Sequence, residues 1–156
     1  MRTKNTQKGF SLIELLIVVA IILIIAAIAI PNLLRSRMAA NEASAVGSLR
    51  TLNTAAVQYS TTYGIGFPDD IADLGPATPA TSAAADLIDS VLASGNKSGY
   101  TFVLAPGAVA GDTYTITATP TTVGTTGQRM FFTDQTGVIR QDPSGAGADV
   151  NSTPIS

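Results

Sequence analysis

The 156-residue chain contains no cysteine, no histidine and no tryptophan. Without cysteine there is no disulfide and no thiolate ligand. Without histidine there is no imidazole to bind a metal or to activate a serine or cysteine nucleophile. The common routes to hydrolytic and metal-assisted catalysis close together, and an enzyme is not expected. Charge is scarce as well, at 13% of residues. From Gly64 onward nine aspartates stand against Lys97, Arg129 and Arg140, a net charge of −6. Nucleic-acid binding rests on a basic footprint that neutralises phosphates, so no direct nucleic-acid contact is expected of this region.

What the chain has in surplus is apolar surface, with 46% hydrophobic residues. From Leu15 to Ile30 every residue is Leu, Ile, Val or Ala. As a helix, Phe10 to Ile30 would reach roughly 31 Å, enough to cross the ~30 Å hydrocarbon core of a bilayer. One carboxylate, Glu14, lies inside this stretch. An ionised carboxylate in hydrocarbon costs a few kcal/mol and normally has a partner or a cavity. The nearest cations are Lys4 and Lys8 before the run, and Arg35 and Arg37 beyond its far end. Glu14 therefore sits at the interface or meets a partner from another molecule. Its place in the first turn also suits the positive end of the helix dipole, for ~0.3–1 kcal/mol.

Three readings fit the N-terminus. Met1 to Gly9 carries Arg2, Lys4 and Lys8 and no acid, which favours retention on the cytoplasmic side. An ordinary export signal would use Ala27-Ile28-Ala29 as its cleavage pattern, but its apolar region is normally ~7–15 residues long. A plain anchor that is never cut is the third. Arg35 and Arg37 weaken the charge asymmetry without reversing it.

The string KGFSLIELLIVVAIILIIAAIAIPN resembles the N-terminus of type IV prepilins and their pseudopilin relatives. It has a short basic leader ending in Gly9, an aromatic at Phe10, Glu14 as the fifth residue of the cut chain and Pro31 near the outer end of the helix. The resemblance covers about the first quarter of the chain. It implies that a prepilin peptidase cuts between Gly9 and Phe10 and methylates the new amine of Phe10. It also implies that the Glu14 carboxylate meets the N-terminal amine of a neighbouring subunit, so that Phe10, Glu14 and Pro31 serve assembly. The implied partners are copies of the chain in a helical filament, the peptidase, an inner-membrane assembly platform and, before assembly, membrane lipid. The implied location is the bacterial inner membrane, crossed once, with the N-terminus cytoplasmic and the C-terminal domain outside; the filament itself is extracellular or periplasmic.

Beyond Pro31, which permits a kink or a stop, Ala45, Leu49, Leu52, Ala56, Tyr59 and Tyr63 recur at three- and four-residue spacing, one apolar helix face. Ala39, Ala40, Ala43, Ala45 and Gly47 leave the middle of the helix open to close approach. A bent helix from Phe10 to Tyr63 is predicted, ended by Gly64-Ile-Gly-Phe-Pro. The organisation read from the chain is a leader over 1–9, the membrane and assembly half of the helix over 10–30 and its amphipathic half over 31–63. A connecting loop follows over 64–98, with a short helix from Ala83 to Ala93. Three or four antiparallel strands are predicted over 99–142, from runs rich in Tyr, Phe, Val, Ile and Thr separated by Gly, Pro and Asp. The segment 143–156 is predicted to be a loop or frayed tail. The fold class is α+β, and the order of a long helix, a loop and a small sheet is similar to the type IV pilin architecture.

Many pilins hold the C-terminal region with a disulfide, which this chain cannot form. Major pseudopilins of type II secretion often use calcium there. Asp134, Asp142 and Asp149 are the carboxylates available for such a cation, but no D-x-D-x-D-G spacing joins them, and solvated turn residues are the alternative. No other cofactor is expected. The function implied is a structural subunit of a type IV pilus-like filament. A major pseudopilin is one alternative, and a membrane-tethered binding domain that never polymerises is another.

Overall fold

The computed structural model describes residues 9–109 and 111–155. The leader cations Arg2, Lys4 and Lys8 lie outside the described residues. The first helix, α1, spans Leu12–Tyr63 without interruption. The full stop that Pro31 permits does not occur, because Pro31 lies inside the helix. The chain divides into two compact units, one up to Ser36 and one from Arg37 on, and α1 contributes to both.

In the first unit α1 is exposed along its length. None of the apolar stretch is buried, and Leu12, Ile24 and Ile28 are typical of it. This is the one described helix long and apolar enough to cross a membrane. A helix satisfies its backbone donors and acceptors within itself, so such a segment tolerates lipid, where unpaired peptide groups are costly.

In the second unit the same helix gains a buried stripe: Glu42, Ala45, Ser48, Leu49, Leu52, Ala55, Ala56 and Tyr59. The predicted apolar face is the one that packs. Ala45 belongs to that face and is fully buried, so it does not share the exposed middle where Ala39, Ala40, Ala43 and Gly47 remain. Gly64 ends the helix in the left-handed region (φ 66°), donating its amide to the Ser60 carbonyl; this position favours glycine because no Cβ is present to clash.

The connection holds a short 3-10 turn, Ile71–Leu74, whose Asp70 and Asp73 cap each other's backbone amides. The helix predicted from Ala83 forms only as its last turn, α2, Ser90–Ala93, capped by Asp89. The residues before it are held differently. Asp86 has a positive φ of 55°, and the amides of Ala85, Asp86, Leu87 and Ile88 donate to carbonyls of Asp73, Leu74 and Gly75. Tertiary hydrogen bonds to the 3-10 turn thus replace the local helix bonds that Ala83 to Asp89 would have made.

Six strands follow: β1 Asn96–Lys97, β2 Tyr100–Pro106, β3 Tyr114–Pro120, β4 Met130–Asp134, β5 Arg140–Asp142 and β6 Thr153–Pro154. They form one antiparallel meander in sequence order. The count exceeds the predicted three or four because β1 and β6 have two residues each, too few to show a period. The tail is corrected too. Residues 153–154 pair with β5, the Ile155 amide donates to Ile139 O, and Ile155 packs against the core. The alternation predicted for β3 holds, with Tyr114, Ile116 and Ala118 buried and Thr115, Thr117 and Thr119 half-exposed. These residues join Tyr100, Phe102, Leu104, Phe131 and the α1 stripe in one core.

Candidate functional site

The residues singled out for processing and assembly lie at the start of α1. Gly9 and Phe10 precede the helix, and Phe10 is 81% exposed. Nothing approaches the position where a Cβ would stand on Gly9. Both flanks of the Gly9–Phe10 peptide bond are therefore open among the described residues.

Glu14 makes a bond that the sequence could have disclosed. Its Oε2 accepts the Ser11 backbone amide at 2.9 Å, while the amides of Glu14 and Leu15 donate to Ser11 O. Ser11-Leu-Ile-Glu14 has the Ser-x-x-Glu spacing of a capping box, and the returning carboxylate satisfies an amide that the helix leaves unpaired. Glu14 is thus placed at the positive end of α1, beside the residue that would carry the new amine after cleavage. Among the described residues no side-chain cation approaches it. Its Oε1 accepts no hydrogen bond there.

The second glutamate of the chain, Glu42, was not singled out in the sequence and has the opposite surroundings. It is 8% exposed. Its Oε1 accepts the Gln128 and Arg129 amides at 2.9 and 3.1 Å, and its Oε2 accepts Arg129 Nε at 2.7 Å. Arg129 Nη1 in turn donates to Gln141 Oε1 at 2.7 Å. One carboxylate thereby ties α1 to the start of β4 and, through Arg129, to β5. Burial by itself raises the carboxyl pKa, but the two amides and the guanidinium outweigh it and hold the group below its usual range. The signal was present in the sequence: Glu42 lies three residues before Ala45 and seven before Leu49, on the apolar face. Asn53 makes a second polar tie, donating to Thr133 Oγ1 and accepting from the Tyr114 hydroxyl.

The three aspartates considered for a cation occupy separate turns. Asp134 accepts the amide and hydroxyl of Thr136. Asp142 accepts the amides of Ser144, Ala146 and Gly147 and the Ser144 hydroxyl, and these donors bring its pKa down to about 2. Asp149 accepts the Asn151 amide and the Ser152 hydroxyl. Asp134 and Asp149 border one open groove of about 330 Å³ with Tyr114 and Phe132, and Asp142 is not part of it. Among the described residues no three acids gather as a metal site would require.

Comparison with known proteins bears on the first part of the chain. Residues 4–30 match the family described as the prokaryotic N-terminal methylation motif. The type IV wide pilus major component PilA4 of Thermus thermophilus is 63% identical over 38 residues, 24% of this chain and 29% of that protein. The type IV major pilin protein PilA of Myxococcus xanthus is 52% identical over 54 residues, covering 35% and 24% of the two chains. The type II secretion system core protein G of Escherichia coli is 34% identical over 59 residues, 38% of this chain and 41% of that protein. The chain thus spans less than half the length of each of these relatives. No solved structure matches.

Proposed function

We propose that this chain, whose N-terminal segment is of the type IV pilin and pseudopilin kind, is a structural subunit of a type IV pilus-like filament. The precursor is held in the bacterial inner membrane by the first half of α1, with its N-terminus cytoplasmic and the second unit outside. A prepilin peptidase cuts between Gly9 and Phe10 and methylates the amine of Phe10. An assembly platform then moves the helix from lipid into a helical array of copies.

The observation that carries this reading is the exposed apolar surface of α1 from Leu12 to Leu34, with one carboxylate at its start. Such a surface is not stable in water at roughly 25 cal/mol per Å² of apolar area. Lipid covers it before assembly and other copies cover it afterwards. A head-to-tail contact that does not close produces a fibre. In that array Glu14 Oε1 takes the methylated amine of a neighbour, so two charges that are costly in an apolar setting neutralise each other and fix the axial register. Before assembly the capping bond to Ser11 keeps the carboxylate directed at the helix start.

Mass spectrometry of sheared filaments tests the reading. The subunit should begin at an N-methylated Phe10. A secreted chain beginning at Ile30, with no filament, would overturn it in favour of an ordinary export signal. A major pseudopilin is the second reading, favoured by the match to core protein G, which covers 41% of that protein. Retraction-motor genes beside this gene would support the pilus, and a secretin with further pseudopilin genes would support secretion.

A further inference from the structure

Two exposed arginines, Arg35 and Arg37, follow directly on the apolar stretch of α1. Neither takes part in an ion pair among the described residues, where the pairs are Lys97–Asp89 and Arg129–Glu42. The acid of α1 closest to them in sequence, Glu42, is already engaged by Arg129. Their position works against the proposed orientation, because cations on the translocated side oppose the positive-inside tendency. A plain anchor would insert more readily without them.

We propose that Arg35 and Arg37 form a phosphate-binding collar, each holding a phospholipid phosphate in the far headgroup layer and so setting the depth of α1 before assembly. The proposal rests on the membrane-stored precursor described above. Helix length supports it. From Phe10 to Arg35 the rise is about 37 Å at ~1.5 Å per residue. That exceeds the ~30 Å hydrocarbon core and falls inside the ~40–45 Å of the bilayer with its headgroups. With Arg35 among the far phosphates, Phe10 reaches the near interface, where the Gly9–Phe10 bond is open to a peptidase. The two arginines lie two residues apart, about 160° around the helix, so they engage separate phosphates on opposite sides. Guanidinium pairs with phosphate through two parallel N–H bonds, and a long arginine stem can lie along apolar helix while its head stays at the surface.

The full-length chain lacks cysteine, so Leu33→Cys gives a unique site for a spin label in vesicles of phosphatidylcholine and phosphatidylglycerol. The wild-type arginine pair should hold the label near the far phosphates, and the protein extracted in mild detergent should retain phosphatidylglycerol, as read by native mass spectrometry. Arg35→Gln with Arg37→Gln should lose most of the retained lipid and shift the label by about one helical turn, ~5 Å. Arg35→Lys with Arg37→Lys should keep both. Equal lipid retention and equal depth in the glutamine variant would overturn the collar. Unchanged lipid and depth with lost filaments would also overturn it and assign the arginines to contacts with a second copy. Release of the wild-type chain by alkaline carbonate would show that the membrane-stored reading itself had failed, and the collar with it.

Discussion

The two halves of α1 belong to one uninterrupted helix and answer to different solvents. Up to Ser36 the helix has no buried face. From Arg37 on, a stripe of side chains packs into a core with the sheet. The two glutamates of the chain show the same contrast. Glu42 has two amides and a guanidinium from its own fold. Glu14 has one amide, from its own first turn. A buried carboxylate left without partners costs several kcal/mol, so the fold that encloses Glu42 also supplies its partners. Around Glu14 there is no such enclosure, and the missing partners must come from outside the chain. The comparison divides the helix into a half completed by its own fold and a half completed by assembly.

The sharpest way to break that division is Glu14→Ala. If the two halves are independent in this way, the second unit keeps its Tm and membrane insertion is unchanged or improved, since a charge costly in lipid has gone. Filament yield in sheared preparations should fall at least about tenfold, equivalent to ~1.4 kcal/mol or more per contact. Wild-type yield from this variant would leave Glu14 only its role as a helix cap.

Glu42→Ala is the converse. Removing one member of a buried pair costs ~3–5 kcal/mol. Arg129 keeps 40% of its side chain in solvent, which argues for the lower end, roughly 3 kcal/mol. Thermal unfolding of the second unit should therefore fall by roughly 10 °C, with insertion of the first half intact. A change of a degree or two would show that Arg129 and the Gln128 amide find water without cost.

How far the sequence foretold this architecture depends on how many residues each element uses. The long helix, β2 and β3 each repeat a pattern over seven or more residues, and each was legible. β1 and β6 have two residues each and exist because β2 and β5 offer open edges. The short helix was over-read because its apolar spacing is genuine, whereas the bonds to the 3-10 turn that displace it are set by the fold. At the start of α1 the capping spacing Ser11-x-x-Glu14 was visible but unused. Glu42 was legible as an acid on an apolar face; its partners, some 86 residues away in the chain, were not. The aspartates that suggested a cation are each occupied by nearby donors, which composition cannot distinguish from a site.

Acid pH should separate the halves more gently than substitution. The folded-state pKa of Glu42 is lowered, so its contribution to stability is complete above the ordinary carboxylate pKa of ~4.3 and is lost as pH falls through the lower folded value. Tm followed downward from pH 6 should decline in that window, and Glu42→Gln should flatten the decline because it cannot titrate. An identical slope in the variant would assign the acid sensitivity to other carboxylates.

The smallest expected effect lies in the tail. Asp142 divides its work between two oxygens: Oδ1 accepts the Ser144 amide, while Oδ2 accepts those of Ala146 and Gly147. Asparagine has one acceptor oxygen, so Asp142→Asn must release one of the two sets. The loop it organises is largely exposed, and water can take the place of the lost acceptor, which keeps the change local. Hydrogen exchange at Ser144, or at Ala146 and Gly147, should accelerate markedly while the Tm of the second unit hardly moves. The wild-type loop should show the same loosening only in strong acid, since the Asp142 pKa of about 2 keeps its anion through the range in which ordinary aspartates protonate. A large fall in Tm would mean that the Asp142 loop supports β5 and β6, and that the half of the molecule completed by its own fold depends on its tail as much as on the Glu42 tie.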